Sequence, residues 1–195
     1  MAKVKEINTK KIIEKPIITV KDLGGYHPNS DESKWPVGSI FENEGKRLYD
    51  LVRKEKPLLI VEIGGFVGCS TSWMAKAIRD NKKGKIISID NNAHAGKWSL
   101  IPKELKQFVA FAVNDCFSCK VPEDIDILFE DGMHTYGFTQ KVLERFPAKI
   151  VVCHDYMHWD CQNTVKPEFD KIFGAPDEVF FEKPSDCGLA IKWVK

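Results

Sequence analysis

The sequence predicts an α/β fold: a doubly wound, mostly parallel sheet with helices on both faces. Strand and helix signals alternate along the chain, which is typical of parallel sheets. A buried strand at residues 58–63 runs directly into a glycine turn and then a helix. Polar residues follow the apolar strands, as they do where the strand ends of an open sheet form a ligand site.

The elements follow in order along one domain at residues 39–195, after a loosely structured lead-in at residues 1–38. The first predicted helix, at 39–54, places the apolar residues Ile40, Phe41, Leu48 and Leu51 between charged ones. The other predicted helices are at 70–79, 101–107, 136–145 and 164–173, and the strands are at 58–63, 85–90, 108–113, 125–130, 150–153, 178–182 and 187–194. The last two strands flank a turn at 183–186 and predict an antiparallel hairpin.

Composition and charge argue against some classes of protein. The chain has 195 residues, of which 43% are hydrophobic and 29% charged, as in an ordinary globular domain. A net charge of +1 argues against a nucleic-acid surface. No apolar run approaches the roughly 18 residues of a membrane span, and no signal core begins the chain. We expect a cytoplasmic protein whose six cysteines form no disulfides.

The first strand and its turn form the most specific motif. Residues 62–68 follow the pattern E-x-G-G-x-x-G, with Phe66 after the paired glycines. A dinucleotide fingerprint would follow G-x-G-x-x-G instead. Glycines allow the backbone to approach a ligand closely, and a helix N-terminus directs free N–H groups at it. A tight strand–helix turn without a ligand is the alternative.

This motif resembles the first motif of class I S-adenosylmethionine methyltransferases, and the resemblance covers roughly residues 38–195. It is closest to the small O-methyltransferases of the catechol type and to antibiotic- and sugar-modifying relatives. It implies a Rossmann-like sheet of seven strands in the order 3-2-1-4-5-7-6, with an antiparallel C-terminal strand. It also implies S-adenosylmethionine as the cofactor, and the acid Glu62 suits that cationic ligand directly or through a water.

The strand ends supply further cofactor-binding candidates. Asp90 ends the second strand, where a carboxylate can accept both ribose hydroxyls; a helix N-cap or a solvated strand end is the alternative. Asn91 borders the adenine in this interpretation. Either Asn114 or Asp115 meets the adenine amino edge, and we favour Asp115. The full predicted cofactor set is Glu62, Gly64, Gly65, Phe66, Ser70, Asp90, Asn91, Asp115 and Asp131.

The fourth strand ends in Asp131-Gly132-Met133-His134-Thr135-Tyr136, which is similar to the D-G-x-H-S-Y element of the family. The resemblance places Asp131 beside the methionyl end of the cofactor or on a metal. It places His134 where a general base reaches an acceptor hydroxyl, a task that suits a side chain titrating near neutrality. A helix N-cap for Asp131 and a solvated first-turn position for His134 are the alternatives.

The fifth strand ends in His154 and Asp155, where metal-dependent relatives carry a pair of Asp, Asn or Glu residues. Asp131, His154 and Asp155 are therefore a candidate metal site. Imidazole favours zinc, iron or nickel over magnesium, so His154 departs from the oxygen ligands of the Mg²⁺-dependent relatives. In the metal-free alternative, His154 is a second acid–base group or binds the acceptor.

The sequence thus predicts a methyltransferase that acts on oxygen of a small-molecule or sugar hydroxyl, with His134 and Asp131 in the reaction. Three alternatives stay open: an NAD-type oxidoreductase, a cofactor-binding module without catalysis, and a metal-dependent oxidation at His154 and Asp155. The identity of the acceptor, O- against N-methylation and a homodimer are equally open.

Overall fold

The computed structural model describes residues 40–91, 98, 100–183 and 185–194, so the predicted lead-in at residues 1–38 lies outside the described residues. The helices are α1 (Glu42–Glu55), α2 (Cys69–Asn81), α3 (Phe138–Arg145) and α4 (Val165–Phe173). The strands are β1 (Leu59–Ile63), β2 (Lys85–Asp90), β3 (Val109–Val113), β4 (Ile125–Glu130), β5 (Ala148–Cys153), β6 (Glu178–Phe180) and β7 (Leu189–Trp193).

All seven strands form one sheet in the order β3-β2-β1-β4-β5-β7-β6, which confirms the predicted order. Strands β1 to β5 all run parallel to one another. Strand β7 runs antiparallel to both β5 and β6, as the predicted hairpin requires. The fold class predicted from the sequence is therefore confirmed.

Two apolar layers hold the helices against the sheet, because neighbouring side chains on a strand point to opposite faces. On β1, Ile60 packs into the layer that contains α1 and α2, whereas Val61 packs into the layer that contains α3 and α4. Both side chains are fully buried. This two-sided burial explains why the central strands β1 and β5 are mostly apolar.

The predicted helix at 101–107 is wrong. The structure has successive three-residue turns there, with N–H donation from Leu105 to Pro102 and from Phe108 to Leu105, and a 3₁₀ segment only at Lys106–Phe108. Ile101, Leu105 and Phe108 are all buried by these turns. Their spacing of four and three residues imitates a helical stripe, although packing alone accounts for it.

The parallel order places the carboxyl ends of β1, β2, β4 and β5 along one edge of the sheet. The order in which strands are added to the sheet reverses between β1 and β4, which is where open α/β sheets bind ligands. The turn after β1, the end of β2 and the loops after β4 and β5 all meet at this point. Among the described residues, none of the helices has the length and apolar character needed to traverse a bilayer.

Candidate active site

A cavity of about 770 Å³ opens at this switch point. Its wall combines the ends of five strands, β1 to β5, with apolar side chains from the neighbouring loops. The predicted site residues in the wall are Gly64, Phe66, Asp90, Asn91, Asp131, His134, His154 and Asp155. The structure therefore brings most of the predicted set to one cavity.

Gly64 allows the ends of β1 and β4 to meet at the floor of the cavity. Its φ is +89°, and a Cβ atom there would lie 1.9 Å from the backbone oxygen of Asp131. The N–H of Asp131 in turn donates to the carbonyl of Ile63 at 2.9 Å. Only glycine combines this backbone conformation with such a close approach. At Gly65 a Cβ atom would meet Ser88 Oγ at 2.3 Å, so this glycine also keeps the turn tight.

Glu62 supports the glycine turn from behind and is not in the cavity wall. Its carboxylate is fully buried and accepts hydrogen bonds from the hydroxyls of Ser70, Thr71 and Ser88. Burial raises the pKa of Glu62 to about 7, against the lowering effect of these hydroxyls. The predicted contact of Glu62 with the cofactor therefore has no geometric support. Ser70, another predicted cofactor residue, donates its hydroxyl to Glu62 at 2.6 Å.

Asp90 and Asn91 form the wall at the end of β2. The Asp90 carboxylate is 8% exposed and accepts the Phe66 N–H at 2.7 Å, so it also closes the glycine turn. After β3, Asn114 lies in the wall and Asp115 does not. Asp115 instead accepts the Phe117 N–H at 3.0 Å in a turn of its own. The preference for Asp115 over Asn114 therefore finds no geometric support.

An acid–histidine cluster occupies the ends of β4 and β5. His154 Nδ1 lies 3.1 Å from Asp131 Oδ1 and 3.0 Å from Asp155 Oδ2. His134 Nε2 lies 2.9 Å from the same Asp155 oxygen. Helix α3 begins only at Phe138, with Gly137 as its N-cap, so Asp131 is not the cap of a helix. The two predicted histidines are thus joined through one carboxylate.

Glu44 of α1 completes the cluster, and sequence reasoning missed it. Its Oε2 lies 3.1 Å from His154 Nε2, while its Oε1 accepts the Ser185 hydroxyl at 2.6 Å and the Gly188 N–H at 2.9 Å. The side chain is fully buried. One signal was available: Glu44 lies three residues after Phe41 and four before Leu48, on the apolar stripe of α1.

The cluster shifts the pKa values of its members in opposite directions. Burial lowers the pKa of His154, but the carboxylates of Asp131, Asp155 and Glu44 outweigh it and hold that pKa well above 6.5. Burial would raise the pKa of Asp155, yet His154 and His134 hold it below its usual range. The bond to Asp155 raises the pKa of His134. At Asp131 the effect of burial outweighs that of His154, and the pKa of this carboxyl is raised.

Asp131, His154 and Asp155 do not fit a divalent cation in this arrangement. Both nitrogens of the His154 ring face carboxylate oxygens, so the ring presents no lone pair to a metal. The glycine turn does fit a nucleoside-type cofactor. It forms a cradle that a single Cβ atom would fill, beside an acid at the end of β2.

Comparison with known proteins agrees with this description. Residues 61–156 match a family model described as a methyltransferase domain. That segment runs from β1 to the residues just after β5 and contains the glycine turn and most of the acid–histidine cluster. The search of curated proteins gives no match.

Solved structures share the fold at low sequence identity. The O-methyltransferase TomG of tomaymycin synthesis from Streptomyces achromogenes, in complex with S-adenosylmethionine, is 18% identical with a TM-score of 0.62, over 82% of this chain and 83% of that one. An O-methyltransferase from Bacillus cereus in complex with S-adenosylhomocysteine is 15% identical with a TM-score of 0.61, over 80% and 83%. The methyltransferase PaMTH1 from Podospora anserina, bound to S-adenosylhomocysteine, is 16% identical with a TM-score of 0.60, over 81% of each chain.

At these identities the structural likeness establishes the fold, and the family match adds the class of protein. Residues 61–156 match the methyltransferase-domain family, and the fold of the chain is that of the class I S-adenosylmethionine-dependent methyltransferases.

Proposed function

We propose that this methyltransferase acts on a hydroxyl oxygen of a small molecule and that His134 is the general base. The observation that carries the proposal is the 2.9 Å contact between His134 Nε2 and Asp155 Oδ2 in the wall of the cofactor cavity. A histidine oriented by a carboxylate is the usual arrangement for removing a proton from a hydroxyl.

The cofactor side of the cavity is formed by the glycine turn and the strand ends. In this proposal Asp90 accepts the ribose hydroxyls, Asn91 and Asn114 border the adenine, and Asp131 faces the cationic methionyl end. When bound, S-adenosylmethionine supplies an electrophilic methyl group. The enzyme's main contribution is to hold an acceptor oxygen in line with that group, and such positioning can lower a barrier by about 7–11 kcal/mol.

The His134–Asp155 pair supplies the proton acceptor. Because Nε2 faces the carboxylate, the neutral ring carries its hydrogen there and leaves the Nδ1 lone pair for the acceptor hydroxyl. No described residue bonds to Nδ1. In this proposal Asp155 stabilises the imidazolium that forms when the proton is taken, and the same contact raises the pKa of His134.

Apolar side chains form part of the cavity wall. Met133 is 52% exposed and lies in the wall with Phe41 and Phe138. These side chains suit a small acceptor with an apolar body, such as a phenol or a deoxysugar. The charge balance of +1 supports a small molecule over a nucleic acid.

Calorimetric titration with S-adenosylhomocysteine, with NADH as the control ligand, tests the cofactor part. We expect micromolar binding of the first and none of the second. The acceptor part is tested by S-adenosylhomocysteine release in the presence of phenols, sugars and matched amines. Faster turnover with amines than with hydroxyl compounds would contradict O-methylation, and binding without turnover on any acceptor class would favour the non-catalytic module.

A further inference from the structure

Three carboxylates from three separate elements surround one imidazole ring. Glu44 comes from α1, Asp131 from the loop after β4 and Asp155 from the loop after β5. The ring of His154 is 4% exposed, and its two nitrogens lie 3.0–3.1 Å from an oxygen of each of the three acids. Few side chains in the described part of the chain are both so buried and so surrounded by one sign of charge.

The contacts determine how many protons the ring carries. A neutral imidazole has one N–H and one bare lone pair, whereas the imidazolium donates from both nitrogens. At either nitrogen, a bare lone pair would face a carboxylate oxygen at about hydrogen-bond distance and would repel it. With the three acids ionised, both ring nitrogens are therefore satisfied only as donors.

The position of His154 Nδ1 also decides whether a divalent cation can bind between Asp131 and Asp155. It lies within 3.1 Å of one oxygen from Asp131 and one from Asp155, the two acids that end neighbouring strands. A divalent cation bridging these two oxygens would occupy the same space as the Nδ1–H group. Ligand atoms of Asp131, His134 and Asp155 also lie within 4.8 Å of one another, so a metal held by these three residues would require Asp131.

We infer that the His154 imidazolium is the built-in cation of this site, that it takes the place of a divalent metal between Asp131 and Asp155, and that methyl transfer here needs no metal. This inference rests on the proposed function, because the methyl transfer to which it refers is the reaction proposed above. His154 acts as a positioning residue: it neutralises Asp131 and Asp155 and holds the oxygen of Asp155 to which His134 donates.

The neighbouring polar contacts support this role. Ser185 and Gly188 both donate to Glu44 Oε1, and the Phe41 N–H donates to Oε2. These contacts hold the Glu44 carboxylate in place independently of His154. Glu44 in turn fixes Nε2 of His154 and leaves Nδ1 directed at the two aspartates. A ring that served as a mobile acid–base group would not need both of its nitrogens held in this way.

The test measures metal binding directly, without acceptor and with Mg²⁺ and Mn²⁺ as the probes. We expect that the chelator-treated full-length protein shows no calorimetric binding of either ion at millimolar concentration and no shift in melting temperature. His154→Asp replaces the cation by a carboxylate and creates an oxygen-rich set that suits these ions. We expect this variant to bind Mn²⁺, and the double variant His154→Asp with Asp131→Asn to lose that binding.

Stoichiometric Mn²⁺ or Mg²⁺ binding by the unchanged protein that disappears in Asp131→Asn would overturn the inference. If His154→Asp does not fold, ¹⁵N spectra of the unchanged protein decide the matter at about pH 8, above the ordinary histidine pKa of about 6.5. Two protonated ring nitrogens on His154 support the inference, and a neutral ring overturns it. Failure to bind S-adenosylhomocysteine would instead count against the proposed function, since neither measurement uses that ligand.

Discussion

Asp155 joins the two histidines of the site. One of its oxygens accepts from His134 and from His154, at 2.9 Å and 3.0 Å. Its backbone is held at a φ of +57°, a conformation that costs a non-glycine residue about 1–2 kcal/mol. Strain of this kind persists where the surroundings impose it, and it is common at functional sites. Here the two histidines hold the carboxylate and thereby the backbone that carries it.

Replacing His134 by Gln removes the proposed base while keeping a polar group beside Asp155. We expect turnover to fall by a factor on the order of 10²–10⁴, while the affinity for S-adenosylhomocysteine changes less than about twofold. Tyr136→Phe is the matched control, because Tyr136 lies on the same loop and is 87% exposed outside the cavity wall. Turnover of His134→Gln close to that of the unchanged enzyme would remove His134 from the mechanism.

The pH dependence of turnover follows from the same pair. A general base works only when it is unprotonated, and the bond to Asp155 raises the pKa of His134 above 6.5. The rate should therefore rise with increasing pH through a midpoint above 6.5 and then level off. The measurement is kcat against pH with saturating cofactor. His134→Gln should lack this limb; a midpoint below that of free histidine would be inconsistent with the Asp155 contact.

At the scale of single elements, the turn between β1 and α2 is the most constrained part of the chain. Gly64→Ala would drive a Cβ atom into the backbone of Asp131, at 1.9 Å, and impose a φ of +89° on alanine. We expect S-adenosylhomocysteine binding to weaken at least tenfold and stability to fall by more than about 2 kcal/mol. Calorimetric titration and urea unfolding measure the two effects.

Gly137→Ala is the control for this turn. Its φ is +79°, but a Cβ atom there has nothing within 4 Å. It should therefore show the backbone cost of about 1–2 kcal/mol and bind S-adenosylhomocysteine normally. Equal loss of binding in the two variants would mean that the close approach at Gly64 is not what forms the cofactor cradle.

Helix α1 is tied to the site through Glu44, which is fully buried against His154. Glu44→Gln keeps the shape but leaves the imidazolium with one carboxylate fewer, and removing one partner of a buried pair costs about 3–5 kcal/mol. We expect a loss of about 3 kcal/mol in urea unfolding at neutral pH. Asp50→Asn on the same helix breaks only the exposed pair with Lys46 and should cost less than about 1 kcal/mol.

The difference between Glu44→Gln and the unchanged protein should also depend on pH. Burial would raise the pKa of Glu44, but His154 and the hydrogen bonds hold it below 4.5. Its contribution is therefore present above pH 4.5 and is lost as the pH falls through the folded-state value. A difference that grew on acidification would show that the carboxylate of Glu44 is not what stabilises the cluster.

At the scale of the whole molecule, the cavity joins both halves of the sheet. Its wall takes residues from the ends of β1 and β2 on one side of the switch point and β4 and β5 on the other. A ligand bound there should stabilise the whole domain in one transition. S-adenosylhomocysteine at 100 times its Kd should add about 2.7 kcal/mol to the unfolding free energy.

Thermal unfolding with and without S-adenosylhomocysteine checks this expectation. NADH at the same concentration should leave the melting temperature unchanged, and Gly64→Ala should respond far less than the unchanged protein. A melting temperature that did not move with saturating S-adenosylhomocysteine would show that the cavity at the switch point is not its binding site.

Much of the fold follows from local sequence. The central parallel strands are mostly apolar because both faces of the sheet are covered there, and this signal identified β2 and β4 with their observed bounds. The region 101–107 was misread because a run of three-residue turns can bury the same spacing of apolar residues as a helix. The strand order came from the family resemblance, since apolar periodicity does not encode which strands become neighbours.

By itself the sequence determined the fold class, the glycine turn and the polar residues that end each strand, because these depend on neighbours a few positions away. Only the tertiary structure decided how those residues are used. It placed Glu62 behind the turn, Asn114 instead of Asp115 in the wall, and Glu44 against His154, across 110 positions of sequence. Such contacts depend on how helices pack across a sheet, and no local pattern of side chains records that distance.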